Sequence, residues 1–170
     1  MVPVVSIVGR SGTGKTTLLE KLIKELTRRG YTIGTVKHDV HGFEMDKPGK
    51  DTYRHFAAGA RTVLIASPDR LGLQKRLDAP LTLDQLAERY IDGVDVIITE
   101  GYKSADKPKI EVFRRERSAE PLCGPGDNRV ALVTDDAVEV DCPKFGLADA
   151  DGVAEFIQEF IQGKPRLPGP

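Results

Sequence analysis

The sequence predicts an α/β fold, a three-layer sandwich in which helices flank a mostly parallel sheet. Three observations predict it. Apolar strand-like runs alternate with helix-patterned segments along most of the chain. The first run and the first helix pattern are joined by Gly9-Arg10-Ser11-Gly12-Thr13-Gly14-Lys15-Thr16, which has the form G-x-x-x-x-G-K-[ST]. Several runs end in polar residues, as expected where the carboxyl edge of a parallel sheet carries a site: Lys37-His38-Asp39, Glu100-Gly101 and Thr134-Asp135-Asp136.

Val4-Val5-Ser6-Ile7-Val8 reads as the first strand. Residues 17–29 then place Leu18, Leu19, Leu22, Ile23 and Leu26 at helical spacing, with two arginines at the helix's negative end and Gly30 as its stop. A second strand over residues 31–37 completes a right-handed βαβ unit with parallel strands. Residues 38–50 form a long polar loop, and Asp51 reads as the N-cap of a helix reaching about Ala58. Thr62–Ala66 reads as a buried strand and Leu71–Lys75 as a short one. Thr82 with Gln85 makes a capping box for a helix over residues 82–90, with Leu83, Leu86, Ala87 and Tyr90 inward. Residues 94–99 form a strand that ends at Glu100. Residues 109–114 alternate and read as another strand, 115–128 as a charged, Gly/Pro-rich loop, and 129–134 as a buried strand. A last helix starts near Asp149, with Val153, Phe156, Ile157 and Phe160 on one side. One domain is expected over residues 1–163, with a strand excursion around 103–128 and a frayed tail over 164–170.

The glycine-rich loop carries the most specific chemistry. Where a strand ends and a helix begins, free backbone N–H groups and the positive end of the helix dipole converge. Gly9, Gly12 and Gly14 let the backbone close around phosphate oxygens. Lys15 can neutralise the β- and γ-phosphates, and the Thr16 hydroxyl can ligate a phosphate-bound Mg²⁺. Arg10, Ser11, Thr13 and Thr17 complete the expected nucleotide-binding set, so the fold is expected to be P-loop NTPase-like.

A second set of groups lies at the other strand ends. Glu100 follows an apolar run and resembles a Walker B carboxylate facing the metal, ahead of Asp95 earlier in the same segment. His38, Asp39, His41 and Asp46 crowd one loop and read as a phosphate- or substrate-responsive segment, as a transition-metal site, or as solvated residues. Lys37 is placed to reach phosphate or a second substrate. The Asn-Lys-x-Asp guanine motif is absent; Thr134, Asp135 and Asp136 end a strand on the correct side to accept from guanine N1–H and its exocyclic amine.

Composition narrows the classes further. Lys plus Arg is 25 against Asp plus Glu 26, a formal net charge of −1, which gives no electrostatic case for a nucleic-acid partner. No apolar run has the length of a membrane span, and no signal-peptide pattern opens the chain. Cys123 and Cys142 fit neither a disulfide framework nor a zinc spacing and are expected as reduced thiols, so a cytoplasmic protein is expected.

Together these residues resemble the MobB family, molybdopterin-guanine dinucleotide biosynthesis protein B. The resemblance rests on V-x-I-V-G-R-S-G-T-G-K-T-T-L at the opening, T-V-K-H-D-x-H-x-F-x-x-D after the second strand, G-K-D-T at Gly49–Thr52, A-G-A at Ala58–Ala60, and I-I-T-E-G-Y-K at Ile97–Lys103. It runs from about Val4 to Thr134. It implies a homodimeric GTP-binding protein of the P-loop class that includes dethiobiotin synthetase, the nitrogenase iron protein and metallochaperone GTPases, with the strand excursion contributing to pairing. It also implies an accessory role beside the nucleotidyltransferase MobA, which joins GMP to molybdopterin, with weak hydrolysis. GTP and Mg²⁺ are then the expected ligands, with Thr16 and Glu100 positioning the metal. Lys15 and Arg10 are the candidate catalytic cations, Arg10 acting across a dimer. Lys37, His38, Asp39, His41, Asp46, Lys50, Asp51 and Lys103 are expected to face the partner, molybdopterin or its guanine dinucleotide. Two alternatives remain: a P-loop small-molecule kinase or ATP-dependent ligase, and a metallochaperone GTPase.

Overall fold

The computed structural model describes residues 2–163. Its elements run β1 (Val4–Val8), α1 (Lys15–Arg28), β2 (Ile33–Lys37), α2 (Asp51–Ala57), β3 (Thr62–Ala66), β4 (Leu71–Lys75), α3 (Leu83–Tyr90), β5 (Val96–Glu100), β6 (Lys109–Val112), β7 (Arg129–Val133), β8 (Lys144–Phe145) and α4 (Ala150–Ile161). They fall into two compact units. One holds the residues up to His38 and from Leu83 onward; the other is Asp39–Thr82.

The larger unit is built on a six-stranded sheet in the order β2-β5-β1-β6-β7-β8, with every pairing parallel. The period-two alternation of a strand sorts its residues to opposite faces. Val5 and Ile7 of β1 and Ile98 of β5 join Leu18, Leu22 and Leu26 of α1 and Val153, Phe156 and Ile157 of α4 in the main core. Val4 and Ile97 face the other way and pack with Leu83 of α3. Helices thus cover both faces, as a three-layer sandwich requires. Burying a leucine such as Leu22, which has no exposed surface, stabilises the fold by about 1.5–3 kcal/mol.

Helix α1 begins two residues earlier than its apolar pattern suggests, because Gly14 takes a left-handed conformation as N-cap (φ 100°) and hands Lys15 to the helix. At its other end Glu25 accepts from Arg28 and Arg29, and Arg29 reaches Asp151 Oδ1 at 2.8 Å, tying α1 to α4. Asp149 caps α4 by accepting from Gly152 N at 2.9 Å, as expected.

Several expectations need correction. The strand expected as an excursion within 103–128 is β6, which lies inside the main sheet between β1 and β7. Its Lys109 and Glu111 gave it the look of a half-solvated strand, yet both are buried. Lys109 Nζ donates to the carbonyls of Ala105, Lys107 and Asp127. Glu111 accepts from Leu122 N, Cys123 N and Arg129. Internal partners offset the desolvation of both charges. Thr62–Ala66, expected as a buried strand, is instead half of a separate two-stranded antiparallel pair with β4. Only Val63 of β3 is buried there, and Leu64 and Ile65 are exposed, because a two-stranded ribbon cannot cover both of its faces. Tyr90, expected inward, is exposed, and Asp51 is the first helical residue of α2 rather than its N-cap, which is Lys50. The two-residue strand β8 was not anticipated. The tail expected to fray, 164–170, lies outside the described residues. Among the described residues no helix is long and apolar enough to cross a membrane.

Candidate functional site: the phosphate loop and its carboxylate

The loop between β1 and α1 sits at the carboxyl edge of the sheet's central strand. Gly9 is the residue its entry depends on. It has φ +143°, and a Cβ there would lie 2.3 Å from Val112 O on the neighbouring strand, so only glycine lets the loop leave β1 beside β6. Thr13 is buried, and its Oγ1 donates to Arg10 O at 3.0 Å, closing the loop on itself. Lys15 Nζ donates to the same carbonyl at 2.9 Å. Burial holds the Lys15 ammonium below the usual lysine range; nearby Lys37 adds to this and Glu100 opposes it. Gly14, the N-cap of α1, has no side chain with which to cap it, and the positive end of the helix dipole faces the loop. Arg10, Ser11 and Gly12 are exposed, as are Thr16 and Thr17.

The opposing wall comes from β5, which pairs with β1 and brings Glu100 level with Ile7. Thr16 Oγ1 donates to Glu100 Oε1 at 3.0 Å, and Lys37 Nζ stands 4.0 Å from the same oxygen. The sequence separated these three groups; adjacency of β2, β5 and β1 brings them together. Asp95 is at the amino end of β5, where its Oδ2 accepts from Thr32 N at 2.7 Å, so it is removed from the loop. A hydroxyl and a carboxylate facing each other are hard oxygen donors of the kind Mg²⁺ takes alongside phosphate and water, so these residues fit that ion.

Gly101 continues this wall with φ +95°, donating its N–H to Ile7 O at 3.0 Å. The His38 N–H donates to Glu100 O at 3.0 Å, and its ring packs on Tyr102 with centroids 4.7 Å apart. Lys103 is exposed in the following turn.

The remaining residues of the expected partner loop belong to the smaller unit. Asp39 accepts from His41 N at 2.9 Å, and Asp46 accepts from Lys47 N at 2.7 Å. A hydrogen bond from Thr52, then that from Lys47, holds the Asp46 carboxyl below its usual range. Lys50 caps α2, and Asp51 lies 3.9 Å from Arg54. Among the described residues no group of three His, Cys, Asp or Glu side chains is placed to hold a metal ion, so the transition-metal reading of His38–Asp46 finds no ligand set.

At the carboxyl end of β7, Thr134 is buried and its Oγ1 accepts from Asp136 N at 3.0 Å. Asp135 Oδ1 accepts from Leu147 N at 2.9 Å, and Asp136 Oδ2 accepts from Arg115 N at 2.7 Å. One oxygen of each carboxylate therefore staples neighbouring loops together. A cavity of about 120 Å³ is lined by Thr13, Gly14, Thr17, Lys21, Arg114 and Leu147 among others. Arg114 was missed by the sequence reading, although its guanidinium Nε donates to Thr13 O at 3.0 Å. Arg114 stands at the end of the strand expected over residues 109–114, just where the carboxyl edge of the sheet carries the other site residues.

Residues 4–135 match the family model described as MobB, molybdopterin guanine dinucleotide synthesis protein B. The chain is 37% identical over 166 residues to the molybdopterin-guanine dinucleotide biosynthesis adapter protein of Escherichia coli strain K12, covering 95% of each chain. It is 34% identical over 161 residues to the protein of the same description from Haemophilus influenzae, covering 94% of this chain and 90% of that one. A crystal structure of molybdopterin-guanine biosynthesis protein B matches with a TM-score of 0.73 and 31% identity, over 94% of this chain and 99% of the other. The crystal structure of Bacillus subtilis MobB matches with a TM-score of 0.72 and 27% identity, over 92% and 96%. The loop, the parallel sheet and these likenesses agree: this chain belongs to the MobB family and has its P-loop NTPase-like α/β fold.

Proposed function

We propose that this chain is a GTP-binding adapter in molybdopterin guanine dinucleotide biosynthesis, assisting a MobA-type nucleotidyltransferase and hydrolysing GTP only slowly. The observation that carries the nucleotide reading is the convergence of Thr16, Glu100 and Lys37 on the loop closed by Thr13 and Lys15. The adapter reading is supported by the names of the relatives from Escherichia coli and Haemophilus influenzae.

In this reading the backbone of Gly9–Thr17 wraps the phosphates, and Lys15 leaves the Arg10 carbonyl to neutralise them. Thr16 and Glu100 supply oxygen ligands to Mg²⁺, which when bound neutralises charge on the β- and γ-phosphates. Asp135 and Asp136 contact guanine through the oxygens their loop staples do not use. Slow turnover is expected in this reading because the candidate catalytic cation, Arg10, is exposed and would act across a dimer. A homodimer is supported by the exposed apolar side chains of Leu64, Ile65 and Leu71 on the two-stranded β3–β4 sheet. Molybdopterin or its guanine dinucleotide is the small-molecule cargo or neighbour in this account, and the site of action is the cytoplasm.

The test is capture of a MobA-type partner by the full chain with GTP, GDP or no nucleotide. Nucleotide-dependent capture that Lys15→Ala abolishes is the expected result. Capture indifferent to both nucleotide and Lys15→Ala would reduce the loop to a structural feature. Light scattering on wild type and Ile65→Lys tests pairing: the expected dimer becomes monomeric in the variant.

A further inference from the structure

The turn that follows β6 carries Arg114, Arg115 and Arg117 to the nucleotide site, and the functional reading above uses none of them. Its backbone is fixed at both ends. Phe113 is buried and donates its N–H to Val133 O at 3.0 Å, and Arg117 N donates back to Arg114 O at 2.9 Å. Three bonds from this turn reach two different loops. Arg114 Nε donates to Thr13 O at 3.0 Å on the phosphate loop. Arg115 donates its backbone N–H to Asp136 Oδ2 at 2.7 Å and its guanidinium to Ala137 O at 3.1 Å on the loop after β7.

This anchoring leaves Arg117 over the phosphate loop. A Cβ built on Gly12 would lie 3.3 Å from both Nε and Cζ of Arg117. The side chain is about half exposed, and its carboxylate partner, Glu116 at 3.6 Å, is more exposed still. Arg117 is therefore held close to the loop backbone yet is not locked in a buried ion pair. A planar guanidinium with five N–H donors suits the oxygens of a polyphosphate. Exposed ion pairs of the Glu116–Arg117 kind are weak, so exchanging that carboxylate for a phosphate oxygen costs little.

We propose that Arg117 is a further phosphate-contacting residue of the nucleotide site, with Arg114 as the positioning residue that fixes Thr13 and the turn beneath it. This rests on the nucleotide-binding reading above and extends it to a cation supplied within the same chain. The ligand class is a nucleoside di- or triphosphate, because a monophosphate brings fewer oxygens to Gly12. The turn also joins the phosphate loop to the loop after β7.

The experiment is equilibrium titration of the full chain with GTP, GDP and GMP at several salt concentrations, each variant checked by its melting temperature. Arg117→Ala is expected to weaken GTP and GDP about 10-fold and GMP less than about threefold, with Arg117→Lys recovering most of the loss. Arg117→Ala also flattens the salt dependence of GTP binding, because one phosphate-facing charge is gone. Arg114→Ala weakens GTP and GDP alike but keeps the wild-type salt dependence, which separates positioning from contact. If wild type binds GTP and GDP while folded Arg117→Ala binds them within twofold of wild type, Arg117 makes no phosphate contact and the inference is overturned with the nucleotide reading intact. If wild type binds neither nucleotide, the reading beneath it fails as well.

Discussion

The two compact units treat apolar surface in opposite ways. The sheet unit buries Ile7, Leu22, Leu26, Ile97, Ile98 and Ile157 almost completely, and it satisfies even its buried Lys109 and Glu111 from within. The Asp39–Thr82 unit buries Val63 alone among its large apolar residues and leaves Val40, Phe43, Met45, Leu64, Ile65, Leu71 and Leu77 exposed. The first mounts the glycine-rich loop on a densely buried core. The second has little core of its own, a composition suited to docking surfaces and to local opening.

The sharpest way to break this contrast is a matched pair of truncations. Leu22→Ala should cost about 2–5 kcal/mol of unfolding free energy, read from denaturant titrations, because it opens a cavity between α1 and the sheet. Phe43→Ala, which removes an exposed side chain of the smaller unit, should change the same quantity by less than about 0.5 kcal/mol. Equal effects would erase the distinction between the units.

Gly9→Ala comes next. The added Cβ meets Val112 O in a backbone conformation that alanine avoids, so it should cost about 1–3 kcal/mol in stability and abolish GTP binding in calorimetry. A variant that retained affinity would show that the loop can rebuild its exit from β1.

Between these effects and the smaller ones lies what the sequence made legible. The phosphate loop was readable because its residues are contiguous and each has one chemical reason to be there. Glu100 was readable because an apolar run ended on a carboxylate. The pairing of Glu100 with Thr16 and Lys37 was only implicit, since it depends on strand order rather than spacing. Strand β6 was misplaced because Lys109 and Glu111 look solvent-facing, and only their internal partners reveal that they are not. Strand β3 failed in the opposite sense: Thr62–Ala66 has the composition of a core strand, but composition carries no information about whether a second layer covers it. Arg117 escaped because an arginine in a polar segment looks like solvated charge until the β6 turn brings it to Gly12, and Arg114 because the end of an alternating strand says nothing of its bond to Thr13.

The smallest expected effect is a pH dependence in the α1–α4 clasp. Hydrogen bonds from Arg28 and then Arg29 lower the Glu25 carboxyl from its usual 4.5 to about 2. A depressed carboxylate contributes stability above its unfolded value and loses it as pH falls through its folded value. The melting temperature of wild type should therefore exceed that of Glu25→Gln by a constant margin above about pH 5 and converge with it toward pH 2. A margin that persisted at pH 2 would assign the clasp to packing instead of charge.

The most direct test of the central claim is calorimetric titration of GTP, with and without Mg²⁺, into wild type and Glu100→Gln. Wild type should bind GTP more tightly with Mg²⁺, and Glu100→Gln should lose about 10-fold of that gain while keeping its Mg²⁺-free affinity. Identical Mg²⁺ dependence in the two proteins would contradict the assignment of Glu100 to the metal and leave its bond to Thr16 as a structural contact.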